Sequence, residues 1–143
     1  MTGTVFITGA ARGIGAATAE RLHARGDNVA LVGLEPERLE ALADRLGDRA
    51  AFFEADVTDR DALDSAVEGT VEGFGRIDVA IANAGIHTTG SLLTAPAQRI
   101  ERTIEVNLFG VLRTDLASTS ACRAPARPAT SVRSWPRAGS FSR

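Results

Sequence analysis

Four short apolar runs, "TVFIT", "NVALVG", "RAAFFEADV" and "IDVAIANAG", limit this chain most. A strand with one wet face alternates apolar and polar residues, whereas one buried on both faces does not. These runs do not alternate, and each precedes a helical pattern. Ile14, Thr18 and Leu22 lie four apart in a segment from about Gly13 to Arg25, and Gly26 sits where a C-terminal cap belongs. Pro36 suits a first helical turn, and Leu39, Leu42, Ala43 and Leu46 then form a stripe ending at Gly47. Thr58 followed by Asp61 resembles a capping pattern ahead of Leu63, Ala66, Val67, Thr70, Val71 and Phe74, with Gly75 as the stop. A last helix begins near Pro96 and carries Ile100, Ile104, Leu108, Val111 and Leu112 on what reads as its inner side, with Asn107 on the same stripe. Strand and helix in strict succession predict an α/β fold. Its parallel sheet is covered on both faces and doubly wound by right-handed crossovers.

With 143 residues the chain is one domain's worth. It has no run of about 18 apolar residues, so no membrane span is expected. The first strand begins almost at the N-terminus, without a basic flank or cleavage site, so no signal peptide is expected. Cys122 is the single cysteine and excludes an internal disulfide, which suits a cytoplasmic protein. Charge is uneven: residues 1–115 hold all 18 acidic residues and 11 of the 16 basic ones, and residues 116–143 hold five arginines and no acid. Past Asp115 the large apolar residues lose their period, and Ala, Ser, Arg and Pro dominate. The expected organisation is a partial α/β domain over 1–115, of about four strands, and an irregular basic tail over 116–143. Out-of-frame reading of a GC-rich gene would produce such a tail. An arginine arm for phosphates or bases is the rival reading, but its arginines are scattered and no nucleic-acid-binding fold accompanies them, so no nucleic-acid partner is expected.

The strongest local signal is "TGAARGIG", Thr8 to Gly15. Gly9 permits a tight turn after a strand, Gly13 lets backbone amides approach a ligand, and Gly15 lets the following helix pack closely. The helix N-terminus with Arg12 and Ile14 then offers free N–H groups to a pyrophosphate. Spacing alone is not enough. "GTVEGFG", Gly69 to Gly75, has the same glycine spacing, but it ends a helix and precedes a strand, so its amides point away from any such site. A dinucleotide site also needs a reader for the adenosine ribose at the end of the second strand. The residue there is Gly33; Glu35 can serve for NAD, and Arg12 with Arg38 can instead meet the 2′-phosphate of NADP, with a lean to NAD.

Four motifs in order, "TGAARGIG", "ADV" (Ala55–Val57), "NAG" (Asn83–Gly85) and "NLFG" (Asn107–Gly110), resemble the short-chain dehydrogenase/reductase family from about Thr2 to Thr114. The resemblance implies a Rossmann-type fold and NAD(P)-dependent interconversion of an alcohol and a ketone. It implies that Asp56 and Val57 meet the adenine and that Asn83, Ala84 and Gly85 run beside the cofactor. Asn107 would be a catalytic residue, holding a water in a proton relay. A small-molecule alcohol or ketone substrate and a homo-oligomer are implied for the intact family member. The family's proton transfer uses a serine, a tyrosine and a lysine. The chain has no tyrosine and no lysine, which predicts that the 143 residues alone are inactive. Ser134 stands at about the family serine's distance from Asn107, but "SVRSWPR" is not a buried strand. The alternative is a non-catalytic dinucleotide-binding or interaction module using its arginine-rich arm. His87, with Thr88 and Thr89, reads as an ordinary loop, and His23 reads as exposed. Two histidines and one cysteine, far apart, predict no metal site.

Overall fold

The computed structural model describes residues 2–90 and 94–123. Four parallel strands, β1 (Thr4–Thr8), β2 (Asn28–Gly33), β3 (Ala50–Glu54) and β4 (Val79–Ile81), stand in the order β3-β2-β1-β4. The helices α1 (Gly13–Ala24), α2 (Pro36–Leu46) and α3 (Arg60–Phe74) connect them. After β4 come α4 (Ala97–Ile104), a π-helical turn (Glu105–Phe109) and α5 (Gly110–Arg123).

Period-two alternation along the buried strands divides the core in two. Phe6, Ala30 and Val32 face α3 and α5 with Leu63, Val67, Ile77 and Val106. Val5, Ile7, Val29 and Leu31 face α1 and α2 with Ala19, Leu39 and Leu42. The chain leaves β1 toward β2 on one side and returns to pair β4 on the other. That reversal opens a crevice beyond the carboxyl ends of β1 and β4, where open α/β sheets place their ligands. The expected doubly wound Rossmann-type sheet of four strands is present.

Local expectations needed four corrections. The cap of α3 is Asp59, whose Oδ1 accepts from the Ala62 amide at 3.1 Å; Thr58 instead bonds Asp56. Ile14 is 78% exposed, because glycine and alanine (Gly15, Ala19) form the buried side of α1. His23 is half-buried, with Nε2 lacking a partner; burial, then the charge of Arg49, lowers its pKa.

The largest correction concerns the last helix. Ile104, Leu108 and Leu112 lie on its open side, and the buried face is Val106, Gly110, Thr114, Ala117, Ser118 and Ala121. This small-residue face continues past Asp115 to Arg123, so the ordered fold extends beyond the expected boundary and residues 116–123 are helix rather than irregular tail. A search for large apolar residues misses such a face. Its hydroxyls are satisfied within the helix: Thr114 donates to the Gly110 carbonyl and Ser118 to the Thr114 carbonyl, each at 2.8 Å. Small side chains let α5 lie close against α3. The remaining expectations for the tail, including Ser134 and the arginine arm, fall on 124–143, outside the described residues.

Leu63 is fully buried among the α3-side core residues. Leu63→Ala should lower the unfolding free energy by about 2–5 kcal/mol in urea titration. Ile14→Ala, at an exposed site, should change it by less than about 0.5 kcal/mol.

Candidate cofactor cleft

The crevice is a cleft of about 490 Å³ floored by the ends of β1 and β4 and walled by the loops after β2 and β3. Its structural centre is Thr8, buried at the end of β1. The Thr8 hydroxyl accepts from the amides of Asn83 and Ala84, both at 3.2 Å. In return the Asn83 Nδ2 donates to the carbonyls of Thr8 (3.1 Å) and Gly9 (3.2 Å). The glycine loop and the end of β4 are thereby laced together. Gly9 has φ +67°, and a Cβ there would stand 2.8 Å from the Ala84 Cα. A Cβ on Gly15 would overlap the Gly9 carbonyl.

Gly13 differs. Its φ is +59°, yet a Cβ would meet nothing within 4 Å, so backbone conformation rather than crowding demands glycine, and the space beside it is open cleft. The first turn of α1 has no acidic residue, and Arg12 at the cap position makes no side-chain cap bond. First-turn N–H groups have no intrahelical partner. The chain supplies none of the usual side-chain partners here, and this open helix terminus suits an anion such as a pyrophosphate.

At the β2 end, Glu35 bridges two arginines. Its Oε1 pairs with the Arg12 Nε at 2.8 Å and its Oε2 with the Arg38 Nε at 2.9 Å. It stands at the cap position of α2 but makes no side-chain cap bond.

At the β3 end, Asp56 lies in a ring of three residues. Its Oδ1 accepts from the Thr58 amide (2.9 Å) and hydroxyl (2.8 Å), and its Oδ2 accepts from the Arg102 Nη2 (2.7 Å). Arg102 Nη1 closes the ring by donating to the Thr58 hydroxyl at 2.9 Å. Burial pushes the Asp56 carboxyl upward, but the Thr58 and Arg102 hydrogen bonds and the Arg102 charge outweigh it and hold the pKa below the usual range.

Most of the residues singled out in the sequence meet in this cleft. Gly9, Arg12, Gly13, Ile14, Glu35, Asp56, Val57, Asn83, Ala84 and Gly85 line it. Gly15 and Asn107 are absent from its lining. Gly15 lies beneath, packed on Gly9. Asn107 is on the exposed side of the π turn, not on an inward stripe. Its Oδ1 accepts from the Ile86 amide at 2.8 Å and its Nδ2 donates to the Ile86 carbonyl at 2.9 Å. The side chain is thus a clamp on the irregular segment that leaves β4. Thr8, Arg102 and Gly110 escaped sequence reasoning. A Cβ on Gly110 would come within 2.6 Å of Val57 Cγ2, so this glycine lets α5 start against the cleft wall. His87 is exposed on the loop after β4, as expected. Among the described residues, no group of three His, Cys, Asp or Glu side chains can hold a metal ion, and no helix is long and apolar enough to cross a membrane.

The family model for short chain dehydrogenases matches residues 3–122. The chain belongs to the short-chain dehydrogenase family. The match runs past Asp115, in agreement with the length of α5. Trans-4-hydroxycyclohexanecarboxylate dehydrogenase of Sinomonas cyclohexanicum is 41% identical over 114 residues, covering 73% of this chain and 44% of that protein. An alcohol dehydrogenase of the archaeon Thermococcus sibiricus, solved with 5-hydroxy-NADP, superposes with a TM-score of 0.80 at 33% identity, covering 85% of this chain and 53% of that one. A 3-ketoacyl-(acyl-carrier-protein) reductase of Brucella melitensis, solved with NADH, gives a TM-score of 0.80 at 29% identity, covering 83% and 50%. The chain therefore spans about half the length of the short-chain dehydrogenases it matches.

Two measurements probe this geometry. Because the folded pKa of Asp56 is depressed, its contribution to stability is complete above the unfolded carboxylate value and is lost as pH falls through the folded one. Urea titrations at successively lower pH should show a shallower acid loss for Asp56→Asn than for the parent chain. Asn107→Ala should raise hydrogen exchange at the Ile86 amide by about tenfold, the worth of one hydrogen bond, with little change in the sheet amides.

Proposed function

We propose that this chain binds NAD(P) in the cleft, as the dinucleotide-binding part of a dehydrogenase that interconverts an alcohol and a ketone. The observation that carries the reading is the uncapped start of α1 at Gly13, open to the cleft and laced to the end of β4 through Thr8 and Asn83. The amides there would hold the pyrophosphate, Glu35 the adenosine ribose, and Asp56 with Val57 the adenine. Asn83, Ala84 and Gly85 would border the nicotinamide half. Bound there, the cofactor supplies hydride chemistry. Asn107 serves this site by fixing the Ile86 backbone; the water-holding role that the family resemblance implies for it belongs to the same proposal.

NAD is the preferred cofactor in this reading. Ribose hydroxyls can donate to the Glu35 carboxylate, whereas a 2′-phosphate would meet that carboxylate at close range. Both arginines are already engaged by Glu35. The solved neighbours hold both kinds of cofactor, 5-hydroxy-NADP in one and NADH in the other. Proton transfer in the family needs a tyrosine and a lysine, and these 143 residues contain neither. The substrate of the whole protein is a small-molecule alcohol or ketone, its assembly a homo-oligomer and its compartment the cytoplasm.

Calorimetric titration of the full chain tests the reading. Saturable NAD(H) binding with no turnover across a panel of secondary alcohols is the expected result, and failure to bind either dinucleotide would overturn it. Glu35→Gln, which frees Arg12 and Arg38, should shift preference toward NADP by about tenfold or more.

A further inference from the structure

The cleft contains one charged side chain that the functional reading has not used. Arg102 comes from α4, 46 residues beyond Asp56, and both reach the same wall. An ionised carboxylate has about four lone-pair sites, two on each oxygen. On Asp56, Oδ1 is filled by the two Thr58 donors, and Oδ2 holds one bond from Arg102. Among the described residues one acceptor site is left, on an oxygen whose place Arg102 sets. Thr58 cannot set it, because both of its donors go to the other oxygen. The guanidinium fork spans Asp56 Oδ2 and Thr58 Oγ1 together, which fixes the carboxylate in rotation as well as in position.

We infer that Arg102 is a positioning residue that makes this end of the cleft select a base carrying an exocyclic amino donor over one carrying a keto acceptor. The inference rests on the cofactor reading above and deepens it. A single remaining acceptor site on a fixed carboxylate suits one N–H donor, such as the 6-amino group of adenine. A 6-keto group at the same place brings oxygen against oxygen. Without Arg102 the carboxylate is tied through Oδ1 alone, Oδ2 regains water, and the difference between the two bases fades.

The test is calorimetric titration of the full chain with NAD and with nicotinamide hypoxanthine dinucleotide, which replaces the 6-amino by a 6-keto group. The parent chain should prefer the adenine form by about tenfold, the worth of one hydrogen bond to a charged group. Arg102→Ala should cut that preference to about twofold or less, and in an Asp56→Asn background it should change nothing further, because the effect passes through Asp56. An unchanged preference in Arg102→Ala overturns the inference. So does an increased one, which would mean that Arg102 itself donates to the keto group. Should Arg102→Ala fail to melt cooperatively, Arg102→Lys carries the test: it keeps the charge but not the fork, and a preference at the parent level overturns the inference. Failure of the parent chain to bind either dinucleotide sinks the cofactor reading and this inference with it. Binding with the Arg102 effect absent sinks this inference alone.

Discussion

The buried hydroxyl of Thr8 is the point on which the geometry of this molecule hangs. A hydroxyl at the end of a strand can accept and donate at once, and here it takes the two amides that β4 leaves exposed as it ends. Asn83 reciprocates with both of its Nδ2 contacts on the glycine loop. Neither group can move without giving up part-buried hydrogen bonds, each worth about 0.5–1.5 kcal/mol. That penalty fixes the distance between two strands far apart in sequence. It also fixes where α1 begins, because Gly15 packs directly on the carbonyl that Asn83 holds.

From that knot the cleft opens in two directions, each ending in a carboxylate governed by arginine. Glu35 is shared by two guanidinium groups, and Asp56 is held by one guanidinium and one threonine. The two ends differ in what they leave free. Both Glu35 oxygens carry a charged partner on an exposed side chain, which a ligand can reach from solvent. Asp56 sits in a closed ring with a single acceptor site left. A chain with so many arginines near a site for an anionic ligand uses its acids to decide where positive charge is available.

The strands and the glycine loop were legible in the sequence because their signals are local. Unalternating apolar runs announce a doubly covered sheet, and glycines after a strand announce a turn into a helix. Glu35 was legible by its place after β2, and Asp56 only through the "ADV" motif of the family resemblance. Arg102 was not: its partner lies across the fold, and no local pattern marks a surface arginine as paired. Thr8 was passed over because a threonine ending a strand is unremarkable until its partners are known. The last helix misled for two physical reasons. Its buried face is made of alanine, serine, threonine and glycine, which carry little hydrophobic signal, and the π turn breaks the period on which face assignment depends.

That turn has a consequence for how the chain tolerates change. A π turn holds one residue more than the α-helix around it would, and one residue is about 100° of helical rotation. Everything in α5 is therefore phased by the π winding of Glu105–Phe109. Were the same five residues wound as plain α-helix, Phe109 would arrive at the place of Gly110, against a Val57 side chain that leaves no room even for a methyl group, and Arg113 at the buried position of Thr114. The segment behaves as a register pin. Loss of one residue would relax the turn to α-helix and leave α5 in phase, whereas a further residue has no looser helix to absorb it.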